Sequence, residues 1–326
     1  MPSPRAVAAA AISVCAYVLL FPIELVASLI LVYKTRAHHP SLKTTALSVA
    51  YIRAELARGL LREDPVTEKL LTSLPWAPGA VSWLCAAYLI LPIWKHLEEL
   101  IPYILRVPTV MNRVRDLVYS RTRFIDQRLA AARGKQLVIL GAGFDSRCYV
   151  SRYRAGRRCF EVDLASTQRA KREALVAAKV DTKHVQFVEV DFRNESWLSK
   201  LEEHGFDTSE PAIIIWEGVT PYLDREAVSA TLGLVAQCAP GTELVLDYVS
   251  AATARGEVAP HMARIVQAMG EPFLCGFEDC QDVDGPIGSF AREHNMQVKA
   301  WAPFGVSGWV TGGVAALRAA SLSTSD

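Results

Sequence analysis

Concentrated charge is what this chain most clearly lacks. Over 326 residues, 35 lysines and arginines face 34 aspartates and glutamates, a net charge of +1. Nucleic-acid binding wants a basic footprint, so no nucleic-acid partner is expected. Cysteine is also sparse. The seven cysteines are odd in number and form no Cys-x-x-Cys pair, which points to reduced thiols in the cytosol rather than a disulfide frame. Cys275 and Cys280 stand too isolated for a metal site. The seven histidines show no ligand spacing, and His38-His39 reads as surface. Arg169, Lys171 and Arg172 read as a solvated helix face. Internal repeats are absent.

What is present begins at Gln136, where an apolar strand runs into Gly141-Ala142-Gly143-Phe144-Asp145. A second strand, Cys159 to Val162, ends in Asp163. A strand entering Gly-x-Gly and a following strand ending in a carboxylate describe a nucleoside pocket, with the acid placed for both ribose hydroxyls. A dinucleotide fingerprint needs a third glycine; Ser146 stands there, after Asp145. That carboxylate is expected to repel a pyrophosphate and to tolerate a ligand with a positive centre. S-adenosylmethionine, with its ribose, adenine, sulfonium and amino-acid tail, fits; hydride chemistry becomes the lesser alternative.

Further strands are expected at Val185–Val190, Ala212–Trp216 and Glu243–Asp247. Helices are expected at Leu164–Val180, Ser196–His204 and Arg225–Gln237. This alternation predicts an α/β fold with a doubly wound, mostly parallel sheet and ligands at the strand C-termini. Met296–Trp301 and Trp309–Leu317 suggest a terminal antiparallel hairpin. Strand tips carry polar groups: Asp191-Phe192-Arg193 after the third strand and Glu217-Gly218 after the fourth. Asp191 suits the adenine amine with Phe192 on the ring, and Glu217 suits the ammonium. The alternative is that such acids cap the following helices.

These motifs, together with Ser41-Leu42-Lys43-Thr44-Thr45-Ala46, Arg121 to Asp126, Asp145-Ser146-Arg147 and Glu217 to Leu223, resemble the leucine carboxyl methyltransferase-like, S-adenosylmethionine-dependent O-methyltransferases. The resemblance runs from about Pro40 to Tyr248. It implies a class I, Rossmann-like methyltransferase domain. Lys43 and Arg121 would meet the cofactor carboxylate, and Gly141, with Gly143 beside it, the methionine portion. Asp163 would hold the ribose, Asp191 and Phe192 the adenine, and Glu217 the amino group.

Helix periodicity gives Arg121 an independent reading. In Val110–Leu129 it shares a stripe with Val114, Val118 and Ile125, whereas Arg123 points to solvent. A buried guanidinium needs a partner: a ligand carboxylate, or an ion pair with Asp163 or Glu217. Arg53 also lies on an apolar face and is left without a role.

The N-terminal third is greasy. Between Arg5 and Lys34 lie 28 residues whose only charged side chain is Glu24. That length suffices to cross a bilayer, so residues 1–36 are expected to form a membrane anchor helix, with the catalytic domain facing the cytosol. The alternative is a greasy helix packed on the domain or on a second copy. Residues 37–134 read as a helical cap with an apolar insertion at about 72–110, a lid or interfacial hairpin for a lipophilic acceptor. Trp76, Trp83, Tyr88, Trp94 and Tyr103 suit a membrane interface. Residues 135–320 then form the S-adenosylmethionine-binding domain and 321–326 a disordered tail.

The expected reaction is in-line methyl transfer from the sulfonium to an oxygen of a small, lipophilic acceptor. A carboxylate acceptor needs no base, being ionised at neutral pH. A hydroxyl does need one. Tyr222 is the candidate for positioning the acceptor, and His261 lies near. No residue type suggests a metal. Two other functions stay open: methylation of a protein C-terminal carboxylate, and a catalytically silent membrane protein that binds the cofactor.

Overall fold

Seven strands form one sheet in the order β3-β2-β1-β4-β5-β7-β6. The computed structural model describes residues 26, 29–42, 44–58, 64–77, 110–258, 260–268, 270–278, 285–306 and 309–319. Strands β1 (Gln136–Leu140), β2 (Arg158–Asp163), β3 (Val185–Glu189), β4 (Ala212–Trp216) and β5 (Glu243–Val249) pair in parallel. Strands β6 (Met296–Val306) and β7 (Trp309–Ala319) form the expected antiparallel hairpin, and β7 docks antiparallel on β5. Every residue of β1, β4 and β5 is buried, as central strands covered on both faces require. Edge strand β3 instead exposes Gln186 and Glu189, which discourages pairing with another chain.

Alternation along β1 feeds two cores. Leu137 and Ile139 join one; Val138 and Leu140 join the other. The first core is closed by α2 (Thr44–Arg58), α3 (Pro65–Thr72), α4 (Val110–Ala131) and α5 (Ala165–Ala177), through residues such as Ala50, Leu70, Ile125 and Ala174. The second is closed by α6 (Trp197–Glu203), α7 (Arg225–Val235) and α9 (Pro286–Glu293). Helix α8 (Pro260–Ala268) lies between β5 and α9 in sequence. Near the hairpin, Trp301 Nε1 donates to Tyr248 Oη at 2.6 Å, and a Cβ on Gly313 would stand 2.6 Å from that oxygen.

Residues 29–38 form a helix, α1, that ends the apolar N-terminal run. Its Leu31 and Thr35 are buried, while Leu29 and Tyr33 are exposed. Trp76 Nε1 donates to Thr35 Oγ1 at 3.1 Å, and Trp76 is itself buried. Trp76 is therefore a packing residue that fastens α1 to the domain, not an interfacial ring. This stretch follows the alternative of a helix packed on the domain. Residues 1–25, and with them most of the expected anchor, lie outside the described residues, as do 78–109 of the apolar insertion and the 320–326 tail. Among the described residues, no helix is long and apolar enough to cross a membrane.

Two surface assignments are corrected by packing. His39 stacks edge-on against Trp76 and meets Glu173 Oε2 at 3.1 Å, its side chain only 10% exposed. Ligand atoms of His38, His39 and Glu173 all lie within 4.8 Å of one another, a grouping invisible in histidine spacing alone. Lys171 is buried, unlike its exposed neighbours Arg169 and Arg172. Its ammonium reaches Glu161 Oε2 at 2.7 Å and donates to Asp145 O at 2.7 Å, so a long side chain on α5 props the glycine turn from below.

Ser146, standing where a third glycine would open a phosphate-binding helix, has a structural partner. Its hydroxyl donates to Asp64 Oδ2 at 2.5 Å, and Thr67 Oγ1 lies 2.7 Å from it. Asp64 is the N-cap of α3, accepting from Val66 N and Thr67 N. One carboxylate thus caps a helix and ties it to the glycine turn. Asp64→Ala should lower unfolding stability by about 1–3 kcal/mol, a lost cap plus an orphaned buried hydroxyl. A urea melt shifted by less than measurement error would show that this tie is not formed.

Candidate active site

The turn after β1 uses both glycines for backbone conformation. Gly141 has φ +66° and Gly143 φ +43°, values that L side chains seldom adopt. A Cβ on Gly141 would collide with Val219 Cγ2, from the loop after β4. That glycine makes room for a neighbouring loop. Asp163, at the tip of β2, accepts from Gly143 N at 2.6 Å and Leu164 N at 2.7 Å. Burial pushes its carboxyl up from the usual range, and these two N–H groups pull it back in part. The carboxylate is aimed by the turn it stabilises.

Beyond Asp145 the chain enters a three-residue 3-10 turn, Arg147–Tyr149, and a single helical turn. No long helix starts at the glycine loop, so the dipole and free N–H groups that hold a pyrophosphate are missing. This is the physical ground for excluding a dinucleotide. The expected repulsion by Asp145 is not, because Asp145 is buried and neutralised. Its Oδ2 accepts from Arg53 Nη1 at 3.0 Å and from Arg147 Nη1 at 2.6 Å.

These contacts belong to a buried charge cluster at the end of β4. Glu217 pairs with Arg53, with Arg121 Nε at 2.8 Å and with Arg147 Nη1 at 2.7 Å. Arg121 Nη1 reaches Asp247 Oδ2 at 2.7 Å, and Arg147 Nε reaches Asp126 Oδ1 at 2.7 Å. Gly218 N donates to Asp247 Oδ1 at 2.6 Å. Three guanidiniums thus meet four carboxylates. Burial opposes the charge on Glu217, but Arg53, Arg147 and Arg121 together hold its carboxyl well below the usual range. Asp247 goes the other way: burial raises it, with Arg121 opposing and Glu217 reinforcing.

Arg121 is inward-facing, as its helical stripe predicts, and its partners are protein carboxylates. Of the two expected ion pairs, the one with Glu217 forms; the second partner is Asp247. Arg123 is exposed, as expected. Arg53 proves to be a cluster member. Asp247 closes the apolar run Leu244-Val245-Leu246, the same signal that marks Asp163, and is a site residue not expected from the sequence.

A cavity of about 480 Å³ opens over the strand tips, within the range of small-molecule sites. Gly141, Gly143, Asp163, Asp191, Phe192, Arg121, Glu217 and Tyr222 all line it. Lys43 lies outside the described residues, and so does the side chain of His261. The Asp191 oxygens accept from Arg193 N and Asn194 Nδ2, both at 3.1 Å, so this acid also orders its own turn. Glu271 and Leu274, from the segment after α8, line the opposite rim and were not anticipated from sequence. Nothing in the pattern around Gly270-Glu271-Pro272 distinguishes it from an ordinary loop.

A wound sheet of this strand order, with a glycine turn, an acid at the tip of β2 and a charge cluster after β4, defines a Rossmann-like methyltransferase domain. Comparison with known proteins agrees. The sequence model of the family described as leucine carboxyl methyltransferase matches residues 93–236. A protein of Mycobacteroides abscessus, provisionally named an S-adenosyl-L-methionine-dependent methyltransferase, is 34% identical over 64% of this chain and 65% of its own length. One of Mycobacterium avium with the same name is 31% identical over 67% of this chain and 69% of its own length. A solved methyltransferase of Thermobifida fusca, its function assigned provisionally, covers 79% of this chain and 96% of its own at 16% identity, with a TM-score of 0.49. That last likeness is too slight to carry weight. The chain belongs to the leucine carboxyl methyltransferase family of S-adenosylmethionine-dependent methyltransferases. The match spans just under two thirds of the first relative's length.

The site residues fit the cofactor of that family. The cavity presents carboxylates to a cationic nucleoside, and the glycine turn leads into no phosphate-holding helix.

Proposed function

We propose that this chain transfers a methyl group from S-adenosylmethionine to an oxygen of a small, lipophilic acceptor. The observation that carries this reading is the Glu217 cluster beside the glycine turn, with Asp163 lining the same cavity. Asp163, aimed by two backbone donors, retains lone pairs for the ribose hydroxyls. Asp191 and Phe192, which line the same cavity, would meet the adenine edge and face. Glu217 would take the α-ammonium on the lone pairs its arginines leave open. Arg121, and Lys43 before α2, would meet the α-carboxylate.

The bound sulfonium supplies an already activated methyl group. The chain's own work is to orient the two reactants and keep water away, which favours in-line attack through proximity. The apolar runs of sequence at 6–33 and 80–93 support a lipophilic acceptor, because they put apolar side chains close in sequence to the cap helices.

Calorimetry tests the cofactor assignment. Wild-type protein should bind S-adenosylmethionine, and Asp163→Ala should weaken that binding about 10- to 100-fold, as expected for losing charge-assisted hydrogen bonds worth about 1.5–3 kcal/mol. Equal affinity of wild type and variant would reject the ribose role.

A further inference from the structure

Two segments clamp together to build the cavity rim on the β4 side. Leu274 N and Cys275 N both donate to Pro221 O, at 2.6 and 3.2 Å, and the Tyr222 ring lies 5.6 Å from that of Phe273. Glu271 N donates to Val266 O at 2.9 Å, tying the segment back to α8. This docking places Glu271 on the cavity wall together with Tyr222. Glu271 is 7% exposed, and its Oε1 is shielded from solvent. The cofactor assignment makes no use of this carboxylate.

Its charge discriminates between the two acceptor chemistries. The guanidiniums of Arg53 and Arg121 on the cavity wall are already matched by Asp145, Glu217 and Asp247. Arg193 follows β3, across β2 and β1 from this rim. A carboxylate acceptor entering here would face a second carboxylate, Glu271, on the same wall. A neutral hydroxyl would meet a proton acceptor instead.

We propose that Glu271 is the general base for a hydroxyl acceptor, a phenol foremost, with the Tyr222 hydroxyl donating to the acceptor oxygen. The proposal rests on the S-adenosylmethionine reading above. The acceptor proton passes to a Glu271 oxygen while the acceptor oxygen's lone pair bonds the methyl carbon. The carbon–sulfur bond breaks and its electron pair returns to sulfur, leaving the neutral thioether of S-adenosylhomocysteine. A phenol is the better match because its proton affinity lies nearer that of a carboxylate than an aliphatic alcohol's does. Tyr222 is no competitor for the base's role. Burial and the nearby Glu271 charge push its hydroxyl well up, so it keeps its proton and serves as a donor.

The test uses the full chain, labelled S-adenosylmethionine and two probes with the same tail, 4-hexylphenol and 4-hexylbenzoate. The phenol should be methylated and the benzoate not. Glu271→Gln should lower kcat about 10²- to 10³-fold, leave S-adenosylmethionine affinity unchanged by calorimetry, and abolish the acidic limb of the pH profile. Glu271→Asp should recover part of the rate and restore that limb, and it carries the test if Glu271→Gln does not fold. Methylation of the benzoate alone, of neither probe while the cofactor binds, or an acidic limb that survives in Glu271→Gln overturns the proposal. Failure to bind S-adenosylmethionine would instead overturn the cofactor reading on which it rests.

Discussion

Glu217→Ala is expected to destabilise the fold by about 3–5 kcal/mol and to abolish detectable cofactor binding. The reason is the company Glu217 keeps. Its carboxylate joins guanidiniums from α2, from α4 and from the turn after β1, and its own side chain is only 2% exposed. Removing it leaves three buried cations with fewer counter-charges, which costs far more than losing a surface pair. Glu217→Gln, keeping one acceptor oxygen, should lose less. Urea melts followed by the fluorescence of buried Trp197 and Trp216 report the change. An unchanged midpoint would mean that the cluster does not hold these elements together. The pH dependence has a definite sign. Because the folded-state carboxyl of Glu217 lies well below its unfolded value, its stabilisation is present above about pH 4.3. It is lost as pH falls from there toward the folded value, and Glu217→Gln should lose that part of the acid sensitivity.

Gly141→Ala should have the second largest effect, a loss of about 2–5 kcal/mol. Part is conformational: at φ +66° an alanine is strained by roughly 1–2 kcal/mol. The rest is overpacking, since the new methyl collides with Val219 Cγ2 and forces the β4 loop to move, at about 1–3 kcal/mol. Val219→Ala in the same chain removes the colliding atom. The double variant should recover the overpacking share and keep the conformational share, so the two changes should be non-additive. Additive losses in the double variant would place the strain elsewhere. Cofactor affinity should fall along with stability, since Gly141 and Val219 line the same cavity.

Much of the catalytic domain was legible because its elements advertise themselves locally. β1, β4 and β5 are centred on short apolar runs, Leu137–Leu140, Ala212–Trp216 and Leu244–Leu246, as strands covered on both faces require. Asp163 stood out because a carboxylate ended such a run. Arg121 stood out because helical period put a charge on an apolar stripe. The partners of these residues were less visible. Arg53 on α2, Asp145 and Arg147 in the turn after β1, and Asp247 on β5 come from three separate parts of the chain, and no spacing announces that the three meet. Glu271 carries no local signature at all; its place on the rim depends on two backbone bonds to Pro221 made by its neighbours. The errors share one cause. Residue type points Trp76, His39 and Lys171 to surfaces, whereas contacts with distant elements decide their burial: Trp76 and His39 meet Thr35 and Glu173, and Lys171 meets Glu161 and Asp145.

Periodicity and turn chemistry in the chain alone therefore determined the wound sheet, its glycine turn and the acids at its edges. These are short-range properties, set by φ preference and by which face of an element is apolar. Only the tertiary structure decided which charges neutralise one another over the strand tips, and that Asp145 does not repel an anion there. Electrostatic pairing acts through space between elements far apart in the chain, and a linear pattern holds no record of it.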